Sequence, residues 1–165
     1  MKFVGLDPGV HGGGGRIWTD DNLATIGYDT FAFDKMTPFD IVATLRQFAT
    51  GGQPHDPRPV VLVEKQGTRP TDARPAVAKL HHQWGILCGI LYGLGIPFED
   101  IPPASWQKTF KLLMPKGTGH TEKKNRHKAK AQQLFPEIKM THSIADGLLI
   151  AEHGRRLYLK GVACG

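Results

Sequence analysis

Cysteine is scarce in this chain: Cys88 and Cys164 are the only two among 165 residues. That number supports neither a disulfide framework nor a cysteine-based zinc site, and a reducing, cytoplasmic setting is the expectation. Acids are also short. Fifteen Asp and Glu face twenty-one Lys and Arg, a formal net charge of +6. Such a surplus favours a polyanionic partner such as nucleic acid, although charge alone does not decide it. No run approaches the roughly eighteen apolar residues that a membrane span needs, so no membrane partner is expected. The opening "MKFVGLDPG" meets an acid and a proline within eight residues; it reads as a buried strand and not as a secretory leader. Internal repeats and low-complexity tracts are lacking as well.

What is present suits one domain over residues 1–165, with 40% apolar residues to build its core. "KFVGLD" is an apolar run ending on an acid. "PGVHGGGG" reads as a turn, punctuated by Pro and four consecutive Gly. "RIWT" and "ATIGYDTFAF" read as two further strands, which predicts a three-strand meander. "TPFDIVATLRQFA" predicts a helix with Thr37 as cap and Pro38 in the first turn. "VVLVE" is continuously apolar, as suits a strand covered on both faces, and it too ends on an acid. A long helix over 74–94 carries Gly85, Gly89 and Gly93 on roughly one face. Close packing on the domain's own sheet is the first reading of these glycines; a subunit contact is the other. "IPFEDIP" predicts a last short strand and "PPASWQKTF" a short helix starting near Pro103 or Ser105. Thr121 is expected to cap a helix through "KKNRHKAKAQQLF", and a final helix covers about 140–158. The order predicts an α/β fold with a mixed five-stranded sheet, the meander plus two parallel strands, flanked by helices.

Three acids stand out. Asp7 and Glu64 end two strands; if these strands are neighbours, both carboxylates emerge at one edge. Asp146 interrupts the apolar helix "HSIADGLLIAEH". An ionised acid there is costly unless a cation compensates it. His142, four residues earlier, shares its helix face. Hard oxygen donors with few nitrogens suit Mg²⁺ or Mn²⁺ rather than structural zinc. Blander roles compete for each residue: a turn for Asp7, a pairing with Arg16 or Lys65 for Glu64, an ion pair with Lys or Arg for Asp146, and a cap or surface position for His142.

Taken together, "GLDPGVHGG", "VVLVEKQ" and "HSIADGLLIAEHG" resemble the three acidic motifs of the RuvC-type Holliday-junction resolvases of the ribonuclease-H-like superfamily, most closely the phage and organellar branch. "GIPFEDIPPASWQKTF" and "KKNRHKAKAQQLFP" fit the same branch, so the resemblance covers nearly the whole chain. It implies a ribonuclease-H-like fold, a homodimer, and Mg²⁺-dependent paired nicking of a four-way junction, with Mn²⁺ able to substitute. It implies metal and catalytic roles for Asp7, Glu64 and Asp146, with His142 a fourth ligand or an orienter of the attacking water. The setting expected is a bacterial or phage-infected cell rather than an organelle. The chain departs from the family in three places. Ser143 stands where bacterial members carry an acid or histidine. Gln66, Gly67 and Thr68 stand where an aromatic wedge is common. Gly147 replaces a usual Ala, which lowers helix propensity.

The basic surplus is concentrated. Lys108, Lys111, Lys116, Lys123, Lys124, Arg126, Lys128 and Lys130 fall within 23 positions opposed only by Glu122. This predicts a phosphate-tracking surface, the alternative being a solvated helix face. Lys123 or Lys124 is expected near the scissile phosphate. Arg69 and Arg74, just after Glu64, are expected to contact branched DNA. Rival functions are a nuclease of flaps, forks or RNA–DNA hybrids, a non-catalytic junction-binding protein, and a two-lobed ATPase of related topology, for which the chain is short.

Overall fold

Alternation along two apolar runs sets the architecture. In the computed structural model, which describes residues 1–9, 11–34, 36–50, 59–67 and 74–161, β1 (Lys2–Asp7) lies at the centre of a five-stranded sheet. β2 (Gly13–Thr19) and β3 (Thr25–Ala32) continue from it as an antiparallel meander, and β4 (Val60–Glu64) and β5 (Glu99–Ile101) pair in parallel on its other side, giving the order β3-β2-β1-β4-β5. The predicted mixed sheet is thus observed. The run of glycines is a difference: Gly13 to Gly15 belong to β2 rather than to the preceding turn.

Helices cover both faces. α1 (Pro38–Thr50) and α2 (Arg74–Gly93) lie on one side, where Ile41, Leu45, Leu87 and Leu91 pack with Val4, Leu6, Val61 and Val63. On the other side α5 (His142–Leu159) crosses β1, β2 and β4, under α3 (Pro103–Thr109) and α4 (His120–Leu134). Eleven consecutive α5 residues, Ile144 to Gly154, are buried. Leu148, Leu149 and Ile150 are fully buried, and each contributes about 2 kcal/mol of apolar burial.

Helix starts follow local chemistry. Thr37 and Asp40 bond reciprocally across the start of α1, Thr37 N to Asp40 Oδ2 at 2.8 Å and Asp40 N to Thr37 Oγ1 at 3.3 Å, a capping arrangement. α4 starts earlier than its sequence suggests. Gly119 is the cap residue and Thr121 is already inside the helix.

The close seat of α5 requires missing side chains. A Cβ at Gly5 would run into the backbone of Gly147 and Ala151, and one at Gly147 would lie 2.8 Å from Gly14 Cα. Gly147 therefore lets helix and sheet approach, and this packing offsets its lower helix propensity. By contrast, a Cβ at Gly85, Gly89 or Gly93 would meet only open space. These three glycines are exposed and do not pack on the sheet.

Candidate active site

Register brings the strand acids together. Leu6 pairs with Val63 across β1 and β4, and both side chains enter the core beneath α1 and α2. One residue further along each strand the side chains point to the opposite face. Asp7 and Glu64 therefore leave the sheet side by side, at the carboxyl ends of parallel strands, on the face covered by α5. Ligands commonly bind at such strand ends in open α/β sheets. Asp146, in the second turn of α5, is buried at 3% exposure, and Asp7 at 4%.

All three carboxylates line one cleft of about 880 Å³, with Gly9, His11, Asp34, Gln66, His120, Lys123, Lys124, His127, His142 and Ser143 among its walls. Asp7 Oδ1 accepts the Gly9 amide at 2.9 Å. Glu64 Oε1 accepts the indole N–H of Trp106, also at 2.9 Å. Lys124 Nζ donates to Asp146 Oδ2 at 2.7 Å and lies 3.6 Å from Asp7 Oδ2. His127 Nδ1 lies 2.9 Å from Asp146 Oδ1. Asp146 is thus in a buried ion pair with a lysine, the bland role weighed for it, while also facing the other acids. Arg16 is paired with Asp29 instead of Glu64, at 2.6 Å.

The electrostatics show too little positive charge for three acids. Burial, reinforced by the Asp146 charge, pushes the Asp7 carboxyl above its usual range despite Lys124. Burial and the charges of Asp7 and Asp146 push Glu64 up to about 8. Asp146 goes the other way: burial raises it, but the His127 hydrogen bond and the Lys124 charge together hold it below the ordinary value. Lys124 gains in the opposite sense, the charges of Asp146 and Asp7 outweighing burial and holding it protonated. A further cation would relieve this excess.

Hard carboxylate oxygens with surplus negative charge suit Mg²⁺ or Mn²⁺, and the Lys124 ammonium already stands where positive charge is favoured. Among the described residues, however, no three or more His, Cys, Asp or Glu side chains form a ready metal cage. The donor chemistry fits a divalent ion; the side chains are arranged around a lysine.

The other predicted site residues divide between the cleft wall and the surface. His142 is the first residue of α5, exposed, with Nε2 2.9 Å from Asn125 Oδ1. The imidazole on Asp146 is that of His127. Ser143 donates to Asp34 Oδ2 at 3.2 Å, and His11 lies 3.1 Å from Asp34 Oδ1, so a fourth acid joins the cleft wall. Trp106 and His127 escaped the sequence reading. The available signal was on α4, where His127 and Ala131 are the buried positions of an otherwise polar helix, one turn after Lys124. Lys123 also lines the cleft. Arg74, Lys108, Lys111 and Lys116 are exposed and Lys128 is half-buried. Arg126 is exposed and pairs with Glu122 at 3.3 Å, and Lys130 donates to Gln133 at 2.9 Å. Arg69 and Thr68 lie outside the described residues.

A mixed sheet with this strand order, an α5 laid across its centre and acids at the strand ends define a ribonuclease-H-like fold. The structure superposes on that of Thermus thermophilus RuvC in complex with Holliday junction substrate, with a TM-score of 0.65 and 17% identity over 99% of this chain and 98% of the other. It superposes on another Thermus thermophilus RuvC structure with a TM-score of 0.61 and 18% identity, again over 99% and 98%. The fold is therefore RuvC-like from end to end. No protein-family model matches the chain, and no curated protein sequence does.

Proposed function

We propose that this chain is a Mg²⁺-dependent, structure-selective DNA endonuclease that resolves four-way junctions by paired nicks, with Mn²⁺ able to replace Mg²⁺. The observation that carries this reading is the convergence of Asp7, Glu64 and Asp146 at one end of a RuvC-like sheet. Similarity to a RuvC bound to a Holliday junction favours branched DNA over RNA–DNA hybrids. The basic residues on α3, α4 and the loop between them would supply a surface for phosphates, with Lys123 and Lys124 lining the cleft itself.

A divalent ion held by Asp7, Glu64 and Asp146 would activate water and stabilise the leaving oxygen of a phosphodiester, leaving a 5′-phosphate and a 3′-hydroxyl. The chain's own groups prepare that chemistry. The Gly9 amide orients Asp7, the Trp106 indole orients Glu64, and His127 fixes Asp146. Lys123 and Lys124 bring positive charge to the place where a phosphate would enter.

Paired nicks need two sites, and a homodimer would present them symmetrically. The exposed Gly85, Gly89 and Gly93, with Tyr92 at 75% exposure beside them, support α2 as the self-association face. A monomeric mass by light scattering at working concentration would count against it. The catalytic reading is tested by nicking of a synthetic four-way junction with Mg²⁺. Wild type is expected to cut and Asp7→Asn to be inert; equal cutting by both removes the role of Asp7. Preference for a flap, fork or hybrid over the junction would move the assignment to a broader nuclease.

A further inference from the structure

Lys124 stands in the position a cation would be expected to take. Its Nζ reaches two buried carboxylates, Asp146 at 2.7 Å and Asp7 at 3.6 Å. The remaining Asp146 oxygen is held by His127 at 2.9 Å. Both oxygens of Asp146 are therefore engaged, and an incoming ion has to share or take the lysine's place. The Lys124 side chain is 27% exposed, against 6% for Asp7 and 5% for Asp146. The acids are fixed and enclosed, whereas the ammonium sits at the cleft side on a flexible four-carbon stem.

We propose that Lys124 is a built-in counter-ion that competes with the divalent cation for Asp7 and Asp146. Metal entry then requires its ammonium to swing toward the open cleft, where a DNA phosphate becomes its partner. The inference rests on the proposed function in taking these acids as cation ligands. Its physical basis is simple. Two cations within a few ångströms of the same oxygens repel each other, and an enclosed site screens that repulsion poorly. A phosphate that draws Nζ away removes the competitor, so metal and DNA each favour the binding of the other, and by linkage the coupling is reciprocal. Removal of the lysine charge leaves the acids unbalanced in the metal-free protein and the site more receptive to metal.

The test is Mn²⁺ binding by calorimetry, without DNA, to wild type, Lys124→Met and Lys124→Gln, with folding checked by circular dichroism. Both variants are expected to bind Mn²⁺ about tenfold more tightly or better. Their melting temperatures are expected to fall without metal and to recover on its addition. Amine labelling of wild type, read by peptide mass spectrometry, gives an answer independent of any variant: Lys124 labelling, relative to Lys128, is expected to rise when Mn²⁺ is added. Equal Mn²⁺ affinity in wild type and variants, or unchanged labelling in Mn²⁺-saturated wild type, overturns the competition and leaves the metal site standing. No Mn²⁺ uptake by any folded form overturns the cation site itself and this inference with it.

Discussion

The Trp106 indole N–H donates to Glu64 Oε1 across 2.9 Å, and the same ring meets the His127 imidazole edge-on at a centroid separation of 5.0 Å. Trp106 is fully buried. One ring thus braces two of the three carboxylates, Glu64 directly and Asp146 through His127. Trp106→Phe keeps an aromatic ring but deletes the donor. It is expected to cost about 2 kcal/mol of stability, from the lost hydrogen bond and the smaller ring, and to slow junction nicking about tenfold. Melting curves and single-turnover nicking separate the two effects. An unchanged rate in the folded variant would show that Glu64 needs no brace.

Glu64 makes stability depend on pH in a defined direction. Its folded value, about 8, lies above its ordinary 4.5. The folded state therefore keeps a proton that the unfolded chain releases, and this contribution falls as pH rises between those values. His153 acts in the opposite sense, since burial and Lys160 hold its imidazole below 6.5. Comparison with Glu64→Gln isolates the acid. With a chelator present, the melting temperature of Glu64→Gln is expected to gain progressively on wild type from about pH 5 to about pH 8. A constant gap over that range would contradict the raised Glu64 value.

Gly147→Ala distinguishes packing from propensity. Helix propensity alone predicts a gain of about 1 kcal/mol. The structure predicts a loss, because the new methyl would lie 2.8 Å from Gly14 Cα and 2.9 Å from its carbonyl carbon. These are backbone atoms of β2 and have no rotamer to change, so a destabilisation of about 2 kcal/mol is expected. Chemical denaturation reads the sign directly.

Glu152 offers a stability test away from the chemistry. It is 4% exposed and accepts from Arg155 Nε at 2.8 Å, Arg155 Nη2 at 2.9 Å and Arg156 Nε at 2.8 Å. Glu152→Gln removes the charge between two arginines. Because both arginines are partly exposed, the expected cost is about 2 kcal/mol rather than the larger penalty of a fully buried pair. Nicking at a temperature well below unfolding is expected to be unchanged. A large loss of rate in the folded variant would mean that this cluster reaches the cleft.

Much of the architecture was readable from periodicity and punctuation. Strand runs ending on Asp7 and Glu64 gave the central pair, and a continuously apolar β4 announced a strand covered on both faces. The glycine run misled because a string of Gly has two uses, a turn and a close contact. Only the seat of α5 on Gly13 and Gly15, where an added Cβ would strike the backbone of Ser143 and Leu148, shows that the second applies. His142 was attractive because helix spacing put it on the face of Asp146. It opens α5, exposed, on the wall of the same cleft and bonded to Asn125, while the imidazole that reaches Asp146 is that of His127 from another helix. Spacing along one helix says nothing about what a neighbouring helix inserts.

The amino-acid sequence alone determined which residues would be costly to bury and where the chain would alternate, bend and stop. Those are properties of side chains and of local backbone. Which acid meets which base was settled only in three dimensions. The parallel register of β1 and β4 sets Asp7 beside Glu64, and the packing of α4 on α5 places Lys124 and His127 on Asp146. Such contacts join segments far apart along the chain, so they depend on sheet order and helix docking, which local pattern does not encode.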